Sequence, residues 1–491
     1  HQSERGYKGE YAFTAKSGGD PSFQLAPESS YQFPVYLGAT LNDESREDFD
    51  YEAAKAGREA FLRLCQQNLQ LQTPNPVFDL LFYFAKIRAS ESIFESSMGV
   101  VHSPGGGNYY TGIWANDQVE YSGPFFPYLG YPTANEAAFN AYRKFAQNIP
   151  QDDSSHIAYA FEVDGNFPMT HLDRGDAAMI AYGTSLYLLN NGNMGQAEEL
   201  WPLIEWSLAY CERMRNEAGA VASESDEMEG RIETGSANLS TSTLYYGGLK
   251  YSIPIAKALK QKALARQYQK QLAEMEEVID NYFGATIDGL ESYRYYDGNT
   301  NFRHWICLPL TMGIETRKEG TLDALFDKLW TDNGILVQYD PSLKAEEQIF
   351  WDRATLYALR GALKVGENEL ALQKLQHYSH KRLLGDHVPY PIEAYPENNM
   401  KHLSAESALY CRIYLEGLLG IEPISFEEIS LRPSLPSGWD QLSLRAVYLL
   451  GEAYDLQLQR EGEQIRLRLQ QGEQTIYDQL ISEGSTVSIK L

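Results

Sequence analysis

The chain has 491 residues, with 41 basic against 67 acidic side chains and a net charge of −26. That length is too great for one ordinary hydrophobic core and calls for two or more domains or one large repetitive architecture. The charge sets the chain against phosphate backbones and anionic lipid, so nucleic acid is not an expected partner. The lack of an apolar run of about 18 residues leaves no membrane span.

Aromatic residues make up 12% of the chain, with 34 Tyr. A Tyr ring offers a flat apolar face and a hydroxyl. That suits polar ligands with apolar faces, sugars among them, and equally suits a large core and its rim. Cys65, Cys211, Cys307 and Cys411 are far apart and show no Cys-x-x-Cys spacing. They are expected as buried thiols, with neither a disulfide framework nor a zinc site. No His-Glu-x-x-His, Gly-x-Ser-x-Gly or phosphate-binding loop occurs, so no metal or cofactor is expected and a pair of carboxylates is the best-supported chemistry. The sequence starts at His1 without Met and without a signal-peptide pattern. A processed or truncated start is the expectation, with export favoured over a cytoplasmic location and the oligomeric state left open.

Taken in chain order, residues 1–50 read as strands and turns, with Pro27 and Pro34 inside the loosely alternating SFQLAPESSYQFPVYLGA. From residue 51 the period turns helical, with Phe61, Leu64, Cys65 and Leu69 on one stripe. Asp79 to Glu95 predicts a second helix. Further helices are expected near 135–148, 174–190, 197–216, 239–261, 263–283, 321–331, 350–365, 368–383 and 403–419, with no strands alternating between them. The long connections 97–116, 149–173, 217–238, 285–305 and 384–402 are rich in Gly, aromatic and acidic residues. In a helical toroid, such loops gathered at one end make a polar crater. After residue 424, YDLQLQR and QIRLRLQ alternate around a Glu461-Gly462 turn and predict antiparallel strands with one buried face. The expected domains are therefore 1–50, 51–423 and 424–491.

Four segments carry candidate chemistry. GIWANDQVEYSGPFF (112–126) offers Trp114 to stack on a ring and Asn116, Asp117 and Glu120 to bond hydroxyls; read structurally, Asn116 or Asp117 caps a helix and Trp114 is core. In THLDRGDAAMIAYG (170–183), Asp173 reads as an N-cap and Asp176 as a first-turn acid. Arg174 is out of place there, because a cation is unfavourable at a helix N-terminus. ASESDEMEGR (222–231) crowds Glu224, Asp226, Glu227 and Glu229 together. It reads as a solvated turn, as a calcium loop lacking the usual pattern, or as a proton donor whose neighbours raise its pKa. HVPYPIEAYP (387–396) holds Tyr390, Glu393 and Tyr395 between prolines, as a rigid connection or as the seat of a base.

Together these segments resemble the six-hairpin (α/α) toroid glycoside hydrolases, in particular the glycogen-debranching and processing α-glucosidase relatives. GIWANDQ is similar to their early Trp-x-x-Asp segment at Trp114 and Asp117. Asp226 precedes NLSTSTLYYGGL at a spacing similar to that of the family's proton donor. PIEAYPENNMKHLSAESALYCRIYLEG is similar to the late Glu-x-Tyr loop that carries the base, at Glu393. LRPSLPSGWDQLSLRAVYLLG looks like the β domain that follows the toroid. The resemblance implies a mainly α fold: an (α/α)6 toroid, a small C-terminal antiparallel β domain and a short β-like N-terminal segment. It implies an exo-acting, inverting hydrolase of α-linked oligosaccharides. Asp226 is the first choice for general acid, Glu227 the second, and Glu393 the base. Trp114, Asp117, Glu120, Asp173, Arg174 and Tyr395 are the sugar contacts. A phosphorylase and a silent glycan-binding protein of the same fold are the alternatives. A lyase is disfavoured because the acidity of these loops is expected to repel uronate.

Overall fold

The computed structural model describes residues 11–17, 24–30, 35–41, 50–105, 112–152, 155–162, 167–344, 347–385, 389–393 and 404–491. Residues 1–64 and 65–491 form two compact units. In the first, strands Tyr11–Ser17 and Val35–Leu41 pair antiparallel, with Tyr11 opposite Leu41 and Ser17 opposite Val35. The helix α1 (Tyr51–Gln67) belongs to it up to Leu64.

In the second unit the helical segments alternate between two environments. One set carries a single buried stripe: α2 (Pro76–Ala89), α4 (Pro132–Gln147), α6 (Met194–Arg213), α8 (Lys262–Phe283), α10 (Lys318–Asp323) with the π-helical Ala324–Leu329, and α12 (Asn368–Leu383). In α8 the stripe is Ala265, Tyr268, Met275, Ile279 and Phe283, the i, i+3/i+4 spacing of an amphipathic helix. The other set is buried almost all round. It comprises the π-helical Ala115–Ser122 running into α3 (Phe126–Leu129), α5 (Asp176–Asn191), α7 (Leu239–Ala258), His304–Cys307 with α9 (Leu308–Met312), α11 (Asp352–Lys364), and α13 (Ala405–Arg412) with Ile413–Leu418. Outer and inner segments follow each other strictly in sequence, so the unit is an (α/α)6 toroid. Helices without a polar face are stable only when other helices surround them, which is why the inner ring can be so apolar.

Short strand pairs do stand between the helices, Gly284–Ile287 with Leu290–Tyr293 and Trp330–Thr331 with Gly334–Ile335 among them, and expected helix boundaries shift. The helix starting near Asp79 begins at Pro76, capped by the Asn75 side chain, which accepts from Val77 N at 3.0 Å. It ends at Ala89 because Ile93–Ser96 pairs with Gly99–His102 as a hairpin. Leu69 is buried, but it lies beyond the helix with φ 49°. It leads instead into strand Gln70–Gln72.

That strand is the edge of a five-stranded antiparallel sheet. The order is Gln474–Ser482, Gln464–Gln471, Glu452–Glu461, Gln441–Leu449, Gln70–Gln72. The expected turn falls at Gly462, with φ 66°. Leu456 sits opposite Leu469 and Leu458 opposite Leu467, all four buried, so the alternating residues face one core.

Candidate active site

A cavity of about 290 Å³ opens where chain passes from outer to inner segments. Trp114, Asn116 and Asp117 reach it from the connection after α2, Tyr159, Met169 and Arg174 from that after α4, and Glu227, Glu229 and Arg231 from that after α6. Trp351 and Arg353 come from the start of α11, and Glu393 from the connection after α12. Four of the five long connections reach this one cavity; 285–305 lines none of it, and its Tyr295 and Arg303 bond to Asp226 behind the wall. A larger cleft of about 770 Å³ lies on the C-terminal sheet, but among the described residues Asp440 is the one acid on its wall, so they bring no carboxylate pair together there.

The acidic loop is a tight, internally bonded turn. Met228 N donates to Asp226 Oδ1 at 2.8 Å, Glu229 N to Asp226 O at 2.9 Å, Gly230 N to Ser225 Oγ at 2.7 Å and Arg231 N to Met228 O at 3.0 Å. Glu229 and Gly230 are both left-handed, at φ 56° and 77°. For Glu229 that conformation costs about 1–2 kcal/mol, which the surrounding bonds must sustain. The turn sends alternate side chains in opposite directions: Glu227, Glu229 and Arg231 to the cavity, Asp226 and Met228 into the interior.

Asp226 is consequently a buried anchor. Its Oδ2 accepts from Tyr295 Oη at 2.7 Å and from Arg303 Nη2 at 3.1 Å. The Glu227 side chain accepts from Tyr121 Oη at 3.2 Å, and its second oxygen is buried without a partner among the described residues. Burial, then the Asp226 charge, then Glu120, push its carboxyl up to about 8. Glu227 therefore keeps its proton at neutral pH.

The loop is tied to its neighbours at both ends. Glu224 N and Ser225 N donate to Asp173 O at 3.0 and 2.9 Å, and Asp173 N returns a bond to Glu224 Oε2 at 3.0 Å. Asn238, the N-cap of α7, accepts from Thr241 N at 2.9 Å and donates to Ser223 Oγ at 2.8 Å.

Across the cavity, Arg353 gathers three carboxylates from three distant segments. Its Nη2 donates to Glu406 Oε1 at 2.7 Å and to Asp117 at 3.4 Å, and stands 4.0 Å from Glu393. The guanidinium lies 4.8 Å from the Trp351 ring centre and 5.3 Å from that of Tyr121. Burial raises the carboxyls of Asp117 and Glu406, Glu406 to about 7, while Arg353 pulls both down. The Glu393 backbone is pinned through Asp352: Asp352 N donates to Glu393 O at 3.0 Å, and Ile392 N to Asp352 Oδ2 at 3.0 Å. Arg382 and Tyr378 complete the hold on Asp352.

Of the residues expected from the sequence, Trp114, Asp117, Arg174, Glu227 and Glu393 share this cavity wall. Asp226, Glu120 and Asp173 are buried behind it. Glu120 accepts from Tyr357 Oη, and burial pushes it up to about 7. Asp173 accepts from Tyr210 Oη at 2.8 Å and Gly175 N at 2.9 Å. It caps no helix; α5 starts from Gly175 at φ 80° without a side-chain cap. Asn116 and Asp117 are not caps either, since the π-helical stretch starts from Trp114. Tyr395 lies outside the described residues. Sequence reasoning passed over Trp351, Arg353 and Arg231. Arg353 carried the signal used for Arg174, a cation at an expected helix N-terminus, and the same test applied to WDRATL finds it.

No protein-family model and no curated protein matches the chain. Several solved structures share its fold at 12% identity. A sialidase superposes with a TM-score of 0.65 over 88% of this chain and 42% of its own. A GH78-family rhamnosidase of Bacillus sp. GL1 does so at 0.58, over 82% and 41%. The α-L-rhamnosidase from Dictyoglumus thermophilum does so at 0.54, over 87% and 50%. The chain thus spans half or less of the length of these proteins. What the alternating helices and these likenesses establish together is the six-hairpin glycosidase-like fold, an (α/α)6 toroid carrying a C-terminal antiparallel β region.

Proposed function

We propose that this chain is an exo-acting glycoside hydrolase that inverts the anomeric centre of α-linked oligosaccharides, with Glu227 as general acid and Glu393 as general base. One observation carries the reading: two carboxylates from distant loops share the wall of one cavity, and one of them is set to hold its proton near neutral pH. A protonated carboxyl is what the leaving glycosidic oxygen requires, and an ionised one opposite it activates water. The acid role falls to Glu227, because Asp226 is committed to Tyr295 and Arg303 and faces away. Trp114 offers an apolar face to a sugar ring, and Asp117 and Arg174 offer hydroxyl partners. The glycosidases that share the fold support the reaction class, and the small cavity suits a terminal sugar.

A panel of aryl glycosides and α-linked oligosaccharides, followed by NMR for the first-formed anomer, tests the reading. Inversion is expected, with carboxyl groups about 6.5–9.5 Å apart to admit water; a retained anomer would instead imply a spacing of about 5 Å and a nucleophile. Glu227→Gln and Glu393→Gln should each abolish turnover with the fold intact. Near-normal turnover of Glu393→Gln sinks its role, and turnover that requires phosphate replaces the hydrolase by a phosphorylase.

A further inference from the structure

The cavity wall carries three guanidinium groups, and two are matched by carboxylates. Arg174 donates to Asp176 Oδ1 at 2.8 Å and lies 3.5 Å from Glu229. Arg353 serves Glu406, Asp117 and Glu393. Arg231 stands apart. It is exposed, its Nε donates to Met228 O at 2.8 Å, and its guanidinium lies 5.7 Å from the centre of the Trp351 ring. Among the described residues no carboxylate lies within ion-pair distance of it.

The turn that aims Glu227 at the cavity aims Arg231 there as well, and fixes its backbone through Met228 O. Three acids on the wall have another cation in reach: Asp117 and Glu393 lie 3.4 and 4.0 Å from Arg353, which also serves Glu406, and Glu229 lies 3.5 Å from Arg174, which also serves Asp176, while burial favours the neutral form of Glu227. The acids expected to repel a uronate are thus held against Arg353 and Arg174 and not against Arg231.

We propose that the substrate carries an oxyanion, a carboxylate or a sulfate ester on a sugar, seated on the Arg231 guanidinium beside the Trp351 ring. A guanidinium presents a planar fork of donors that matches an oxyanion, and an indole face next to it accepts the apolar side of a sugar ring. That the ligand is a glycoside rests on the hydrolase reading above; that it is anionic rests on Arg231.

The test is calorimetric titration of the full chain with D-glucuronate, D-galacturonate and glucose 6-sulfate against glucose and galactose, on wild type, Arg231→Gln and Arg231→Lys. At least one acid should bind tenfold or more tighter than its neutral parent. The advantage should vanish in Arg231→Gln, return in part in Arg231→Lys and shrink with added salt. The uronate and sulfate arms decide between the two oxyanions. No acid exceeding its parent, or an advantage unchanged in Arg231→Gln, overturns the inference. Turnover of the aryl-glycoside panel, measured in parallel, separates the two readings. Arg231-dependent uronate binding without turnover of any glycoside leaves the inference standing and removes the hydrolase. Turnover of neutral glycosides with no acid preference does the reverse.

Discussion

Glu227 and Asp226 are adjacent in sequence and opposite in fate. Each is buried, but Asp226 meets a cation and a phenol, whereas Glu227 meets one phenol and leaves an oxygen bare. Desolvation without compensation favours the neutral form, so the proton resides on Glu227. Two consequences follow from a carboxyl raised to about 8. A general acid works while protonated, so kcat/KM should fall as pH rises through about 8, and pH–rate profiles check this. Stability should also fall with rising pH between the ordinary Glu value and about 8, because unfolding there releases the proton. Glu227→Gln should flatten that slope in urea melts. Composition made the acidic crowding of 222–231 legible, but which acid faces the cavity is a matter of side-chain direction within a left-handed turn, and spacing alone carries no such information.

At the scale of elements, the site is built by connections that enter inner helices, and the acidic loop is clamped by the helix it enters. Asn238 shows the coupling: it caps α7 and holds the acidic loop through Ser223. Asn238→Ala should therefore destabilise the protein by about 1–2 kcal/mol in urea melts and lower turnover as well, since the cap and the loop are lost together. Loss of stability with unchanged kcat would show that the loop holds itself. The close approach of elements depends on Gly183 in α5, where an added Cβ would meet Val119 O at 2.1 Å. That contact sets α5 directly against the π-helical stretch bearing Asp117 and Glu120. The helices themselves were readable from their periods. The π-helical stretch 115–122 was not, because ANDQVEYS is mostly polar yet buried all round and so shows no apolar stripe.

Across the second unit, the C-terminal β region is bound into the toroid. Strand Gln70–Gln72, from the start of the helical region, completes the five-stranded sheet. Glu422 reaches back to Lys250 on α7 at 2.7 Å and Lys364 on α11 at 3.0 Å. Burial pushes the Glu422 carboxyl up, but Lys364 and Lys250 outweigh it and hold it down to about 2. Its contribution is present above the ordinary Glu value and is lost as pH falls through about 2. Glu422→Gln should cost about 2–3 kcal/mol at pH 7 and less at pH 3, measured by denaturant melts at both values. An equal cost at the two values would show that charge plays no part.

The helical periods, the alternating strands after residue 424 and the carboxylate-rich loops are local properties of the chain. They were enough to predict successive helices, a β region and acid-rich loops, and the resemblance of their motifs supplied the toroid. Pairing is not local. Arg353 meets Asp117 and Glu406 across hundreds and tens of residues, and Gln70–Gln72 finds its strand at the far end of the chain. Only the tertiary structure decided that Asp226 is bonded to Tyr295 and Arg303, that burial favours the proton on Glu227, and that Arg231 has no carboxylate within ion-pair distance among the described residues. Ionisation depends on which groups share a low-dielectric space, and that space exists only once distant segments have closed around it.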